Sequence, residues 1–221
     1  MNLTDDIVFT SRHPALGGLH RIGLSGARIE QVLRFYDEPH RCYHDRRHLR
    51  EIFDEVQRHE LPLAPEQALA LLFHDAIYVP GAARGSNELM SAQLLRVYGE
   101  CVDSRRLELA AAIIVDTTEH RARTPLSALV LDLDLLRLAA APADFDAFTL
   151  EVWSEQRPLI TLADDALAWG HFQSRRRVFL ERLAQRPHVF HLEVFRRRYE
   201  SRARRNLERA LAGEECGFGA S

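Results

Sequence analysis

The side chains able to do chemistry fall in three short runs of a 221-residue chain: YHDRRH (Tyr43 to His48), FHD (Phe73 to Asp75) and LDLD (Leu131 to Asp134). The doublet His74-Asp75 closes the apolar run ALALLF, which a helix would bury. A histidine and an ionised aspartate at the end of a buried helix are costly to desolvate without partners. A divalent cation is an efficient partner, because it neutralises the carboxylate and takes the imidazole lone pair. The plain alternative is a helix end that surfaces into solvent. His44 and His48 are four residues apart and share a helical face, so they can present two imidazoles to one metal or to two neighbouring ones. Asp132 and Asp134 lie in the apolar stretch SALVLDLDLLRLAA, and their i,i+2 offset turns them to different sides of a helix, so that only one faces a site. Imidazole mixed with carboxylate suits Mn, Fe, Zn or Mg and leaves positions open for water. Water acidified by such an ion is a nucleophile for phosphoryl transfer.

The elements that must position these residues read as helices, and alternating β-type runs are hard to find. Ser25-Gly26 precedes a helix over 27–37 with Ile29, Val32, Leu33 and Tyr36 on one face, closed by Glu38-Pro39. A second helix spans about residues 45–59. Pro65 suits a first helical position, and a nearly all-apolar helix follows over 67–77. VPGAARGSN is a loop; helices then run from Ser86 to about Tyr98, from Arg106 to Thr118 behind an Asp103 cap, and from Thr124-Pro125 through Leu138. Three more are expected over about 144–156, 162–185 and 190–212. The chain has no internal repeat and no dividing linker. The expectation is therefore one all-α domain, with a core over about 25–140, a helical extension over about 142–212 and a frayed tail, 213–221.

Composition narrows the function. Apolar residues make up 46% and charged residues 28%, as in soluble globular proteins, and no segment approaches the ~18 uninterrupted apolar residues of a membrane span. The N-terminal MNLTDDIVFT carries acids where a secretory signal carries positive charge. Cys42, Cys101 and Cys216 are odd in number and show no CxxC spacing, so the expected compartment is a reducing cytoplasm, without a membrane partner. All 29 basic residues are arginine. The absence of lysine excludes a Walker A loop, a pyridoxal Schiff base and a kinase strand lysine. Net charge is only −3, yet His171 to Leu211 holds twelve Arg against four Glu; such a basic stretch meets nucleic acid or a phosphorylated ligand, or is simply a solvated helix.

The order H…HD…D resembles the HD superfamily of metal-dependent phosphohydrolases. More narrowly, FYDEPHRCYHDRRHL, LLFHDAIYVP, SNELMSA and LDLD, with RVFLERLAQRPHVFHLE and RARRNLERAL beyond them, resemble a bacterial family of predicted HD-superfamily hydrolases over most of the chain from about Ser25. The resemblance implies an HD-domain-like helical bundle with a C-terminal helical extension, holding a divalent metal ion (Mn, Mg, Zn or Fe). It places the metal on His48, His74, Asp75 and Asp134; it favours His48 over His44 because HLREI follows, and keeps Asp132 as the fallback for Asp134. His120, in TTEHR, falls where many relatives place a histidine that touches phosphate or a second metal. Glu88 is a candidate to orient a ligand or act as general base. The chain departs from the family at Leu133, Leu135 and Arg137, where small residues are expected, and at VWSEQ (Val152 to Gln156), where relatives carry an arginine and a tyrosine. The arginine that clamps phosphate is then sought among Arg84, Arg121 and Arg123.

The function implied is hydrolysis of a small phosphate ester or anhydride, with nucleotides among the candidate substrates, and with His44 or His120 donating to the phosphoryl or leaving oxygen. Two alternatives stand beside it: a di-iron oxygenase on the same fold, with His44 and His120 as the extra ligands, and a non-catalytic module that binds nucleotide or nucleic acid through its arginine-rich C-terminal helices. The sequence fixes no oligomeric state.

Overall fold

The computed structural model describes residues 8–214; residue 215 onward, including Cys216 and most of the expected frayed tail, lies outside the described residues, as does the start of the acidic N-terminus. Among the described residues there is no strand. The protein is all-α, as the periodicity predicts, and no helix is long and apolar enough to cross a membrane. It comprises two compact units that divide between Val130 and Leu131.

In the first unit, a turn of 3-10 helix (Pro14–Leu16) leads into α1 (Gly17–Arg21), neither of which the periodicity signals. Ser25 caps α2 (Gly26–Leu33) by accepting from the Arg28 N–H, and the chain tightens into a 3-10 turn over Arg34–Asp37. Asp45 caps α3 (Arg46–Arg58), which buries His48, Leu49, Ile52, Phe53 and Val56 on one face. Pro65 opens α4 (Pro65–Phe73), whose residues from Gln67 to Phe73 are all buried. A helix with no solvent face has to be enclosed by others, and α4 packs against α1, α3, α5 (Ser86–Tyr98) and α6 (Ser104–Thr117). Asp103 caps α6 as expected, accepting from the Arg106 N–H. Gln67, inside the unit, accepts from the Ala64 N–H and donates to the Leu126 carbonyl at the start of α7 (Pro125–Asp134).

The division between units falls within α7, one unbroken helix that ends on Asp134. In the second unit a 3-10 segment (Leu135–Ala139) is followed by α8 (Pro142–Gln156) and α9 (Asp165–Ala184), which share a core of Trp153, Ala168 and Phe172. The last helical stretch is three pieces rather than one. A single turn, α10 (Glu193–Phe195), passes through a π-helical turn (Arg196–Glu200) into α11 (Ser201–Ala212). Buried Asn206 joins α11 to Leu138 and Ala140 by donating to both carbonyls.

Candidate metal centre

The centre begins at a cap. The Asp45 carboxylate accepts from the backbone N–H groups of Arg47 and His48, which starts α3 and sets His48 in its first turn, 1% exposed. On the neighbouring helix, α4 stops at Phe73, earlier than the expected residue 77, and His74 and Asp75 emerge at its C-terminal end. The His74 ring, also 1% exposed, donates from Nδ1 to the Leu71 carbonyl at 2.8 Å. A carbonyl only accepts, so Nδ1 carries the proton and Nε2 of the neutral ring carries the lone pair; a backbone-oriented imidazole of this kind is the usual metal-ligating arrangement. Asp75 Oδ2 lies 3.0 Å from His74 Nε2 and 3.9 Å from His48 Nε2.

One ligand-type atom from each of His48, His74, Asp75 and Asp134 lies within 4.8 Å of the other three. Donors at 2.0–2.2 Å from a shared ion are no more than about 4.4 Å apart, so this group needs only a small contraction to enclose one. Two neutral imidazoles and two carboxylates carry two negative charges, which balances a divalent cation. The donor set therefore fits a divalent metal, and both histidines are held in place by backbone or cap interactions.

A buried arginine fixes the surroundings. The Arg41 side chain is fully buried. It donates to the carbonyls of His44 (2.8 Å), Asp75 (2.7 Å) and Ala76 (3.0 Å), and to the Glu38 carboxylate (3.0 Å). Its guanidinium also covers the rings of Tyr36 and Tyr78. One planar fork thus ties the YHDRRH loop to the backbone of the HD doublet. Asn87 and Ser91 of α5 hold the exit, pairing with the backbones of Val79 and Ile77. Sequence reasoning missed Arg41; it lies inside the run FYDEPHRCYHDRRHL, but nothing in the sequence distinguishes it from the other arginines of the 29.

The remaining sequence candidates are not in the group of four. The His44 ring stacks on Tyr78 at 4.0 Å and meets Tyr43 edge-on at 4.7 Å, and Tyr43 in turn stacks on His48 at 5.5 Å, so an aromatic pile links His44 to a member of the group. His120 follows α6 in a left-handed backbone conformation, φ 45°, uncommon for a side-chain-bearing residue. Glu88 is half-buried in the first turn of α5. Asp132 is fully buried and turned elsewhere, as the two-residue offset from Asp134 predicts: it accepts from the backbone N–H groups of His191 and Leu192 and pairs with His191 Nδ1. Arg84 is exposed and paired with Glu119, and Arg121 is exposed. Arg123 is exposed with its backbone N–H on buried Asp116, which also accepts from the Ser127 hydroxyl.

The fold and this group define an all-α protein with a candidate divalent-metal centre of two histidines and two aspartates. No family model, curated protein or solved structure matches the chain.

Proposed function

We propose that this chain is a metal-dependent phosphohydrolase of the HD superfamily, acting on a small phosphate ester or anhydride. The observation that carries the reading is the gathering of His48, His74, Asp75 and Asp134, separated by up to 86 positions in sequence, within 4.8 Å. The order of these residues along the chain, H…HD…D, is the order on which the sequence resemblance rests. A divalent ion held there supplies a Lewis acid and an acidified water at neutral pH.

The chain's own residues then have distinct tasks. His74, its Nδ1 proton committed to Leu71, offers Nε2 alone. His48 is held by the first turn of α3 and by its stacking on Tyr43. Asp75 and Asp134 would balance the charge of the ion, and Arg41, which donates to the Asp75 carbonyl, would hold that backbone in place. His44, stacked on Tyr78 and edge-on to Tyr43, is the first candidate to hand a proton to the leaving oxygen, and His120 the second. Among the three arginines considered for phosphate, Arg121 and Arg123 are less committed to ion pairing than Arg84.

A screen of nucleotides and generic phosphomonoesters and phosphodiesters, with Mn, Mg, Zn or Fe added, tests the proposal. Turnover that disappears in Asp75→Ala is expected. No turnover of any substrate by metal-loaded protein overturns it, and two irons per chain with oxygen uptake would replace it by the di-iron oxygenase.

A further inference from the structure

The arginines of the C-terminal helices are not equivalent. Arg177 pairs with Glu181, Arg197 with Glu193, Arg204 with Glu200 and Arg209 with Asp146. Arg198, Arg202 and Arg205 differ. All three are exposed, and their interactions among the described residues involve no carboxylate: Arg198 and Arg202 sit 6.0 and 5.5 Å from the same Tyr199 ring, and Arg205 donates to the Ser201 hydroxyl. Glu208, the sole acid of α11, pairs with none of them. Their spacing, i, i+4 and i+7, places them along one side of the helical stretch. The π-helical turn Arg196–Glu200 carries the first of them, and π-turns occur frequently at functional sites.

Two guanidinium groups on one ring and a third a turn away repel one another, and the local stretch is strongly basic in a chain of net charge −3. Such an uncompensated ridge is complementary to a run of phosphates. We infer that Arg198, Arg202 and Arg205 form a binding ridge for the phosphate backbone of a nucleic-acid strand. Tyr199 is 9% exposed and already covered by two guanidiniums, so it offers no face for stacking a base. Recognition is then by phosphate alone, indifferent to base sequence. An anionic membrane is the weaker fit, because among the described residues the ridge is flanked by a single exposed large apolar side chain, Val194, and not by the apolar face that insertion needs. The inference concerns the second unit alone and does not depend on the metal centre.

Fluorescence-anisotropy titrations of the full chain with duplex DNA and single-stranded RNA, from about 50 to about 200 mM salt, test it. Three phosphate contacts predict a log–log salt slope near −2.7 on duplex DNA, a loss of about 40-fold in affinity over that range. R198Q/R202Q/R205Q should flatten the slope. R28Q/R96Q/R157Q, which removes the same charge from residues paired elsewhere, should leave it unchanged. If the triple variant does not fold by circular dichroism, R205Q alone, at an exposed side chain hydrogen-bonded to the Ser201 hydroxyl, should reduce the slope by about one. Absence of binding at about 50 mM salt, an unchanged slope in the folded ridge variant, or binding to phosphatidylserine vesicles and not to nucleic acid each overturns the inference.

Discussion

Two histidine–aspartate pairs in this protein use the same residue types to opposite ends. In the first unit His74 Nε2 lies 3.0 Å from Asp75 Oδ2, and in the second His191 Nδ1 lies 2.9 Å from Asp132 Oδ1. Asp132 has no exposed surface, and both of its oxygens also accept backbone N–H groups at 2.7 Å, so it serves as a structural anchor for the turn that enters α10. Asp75 retains 20% side-chain exposure, and a second imidazole, His48, approaches the same oxygen. The difference lies in what else reaches the carboxylate. Backbone donors spend its acceptor capacity on the fold, whereas converging lone-pair donors leave a place for a cation.

The sharpest way to break this comparison is to remove each acid. Asp132→Ala strands two backbone N–H groups and removes the partner of half-buried His191, and should cost about 3–5 kcal/mol in urea unfolding, since each stranded donor costs about 1–3. Asp75→Ala should change the stability of metal-free protein by about 1 kcal/mol or less. Equal losses would erase the distinction. The next largest effect is expected at Arg41. Lysine keeps the charge but cannot reach three carbonyls and Glu38 together, so Arg41→Lys should weaken metal binding about 10- to 100-fold, as loss of a supporting interaction around a metal typically does. Unaltered affinity would show that the clamp does not position the doublet.

The smallest effect concerns acid stability. Partial burial pushes the Glu30 carboxyl up, but the Ser11 backbone N–H and hydroxyl and the Arg46 guanidinium outweigh it and hold the carboxyl below the ordinary glutamate range. A lowered folded-state pKa stabilises above the unfolded value, and that contribution is lost as pH falls through the folded one. Wild type should therefore exceed Glu30→Gln in stability at neutral pH, with the gap closing in acid. A gap that widened as pH fell would contradict the assignment.

Much of this organisation was legible beforehand, for identifiable reasons. Caps are local, so Ser25, Asp103 and Pro65 marked helix starts that the structure reproduces. The unbroken apolar run of α4 signalled a buried helix delivering His74 and Asp75. Helix ends were less legible. The expected helices through Asp37 and Leu138 finish as 3-10 turns, and the expected 190–212 helix is interrupted by a π-turn, because single-residue changes in hydrogen-bond register leave almost no trace in apolar periodicity. The group of four coincides with the ligands proposed from the resemblance, whereas Arg41 escaped because its role depends on burial and on backbone carbonyls, which carry no side-chain signature.

Isothermal titration of metal-free protein with Mn(II) tests the central claim most directly. One site per chain is expected in the wild type, with loss of that site in both Asp75→Ala and Asp134→Ala. A wild-type protein that takes up no divalent ion from Mn through Mg, Zn and Fe, or variants that bind as the wild type does, would contradict it.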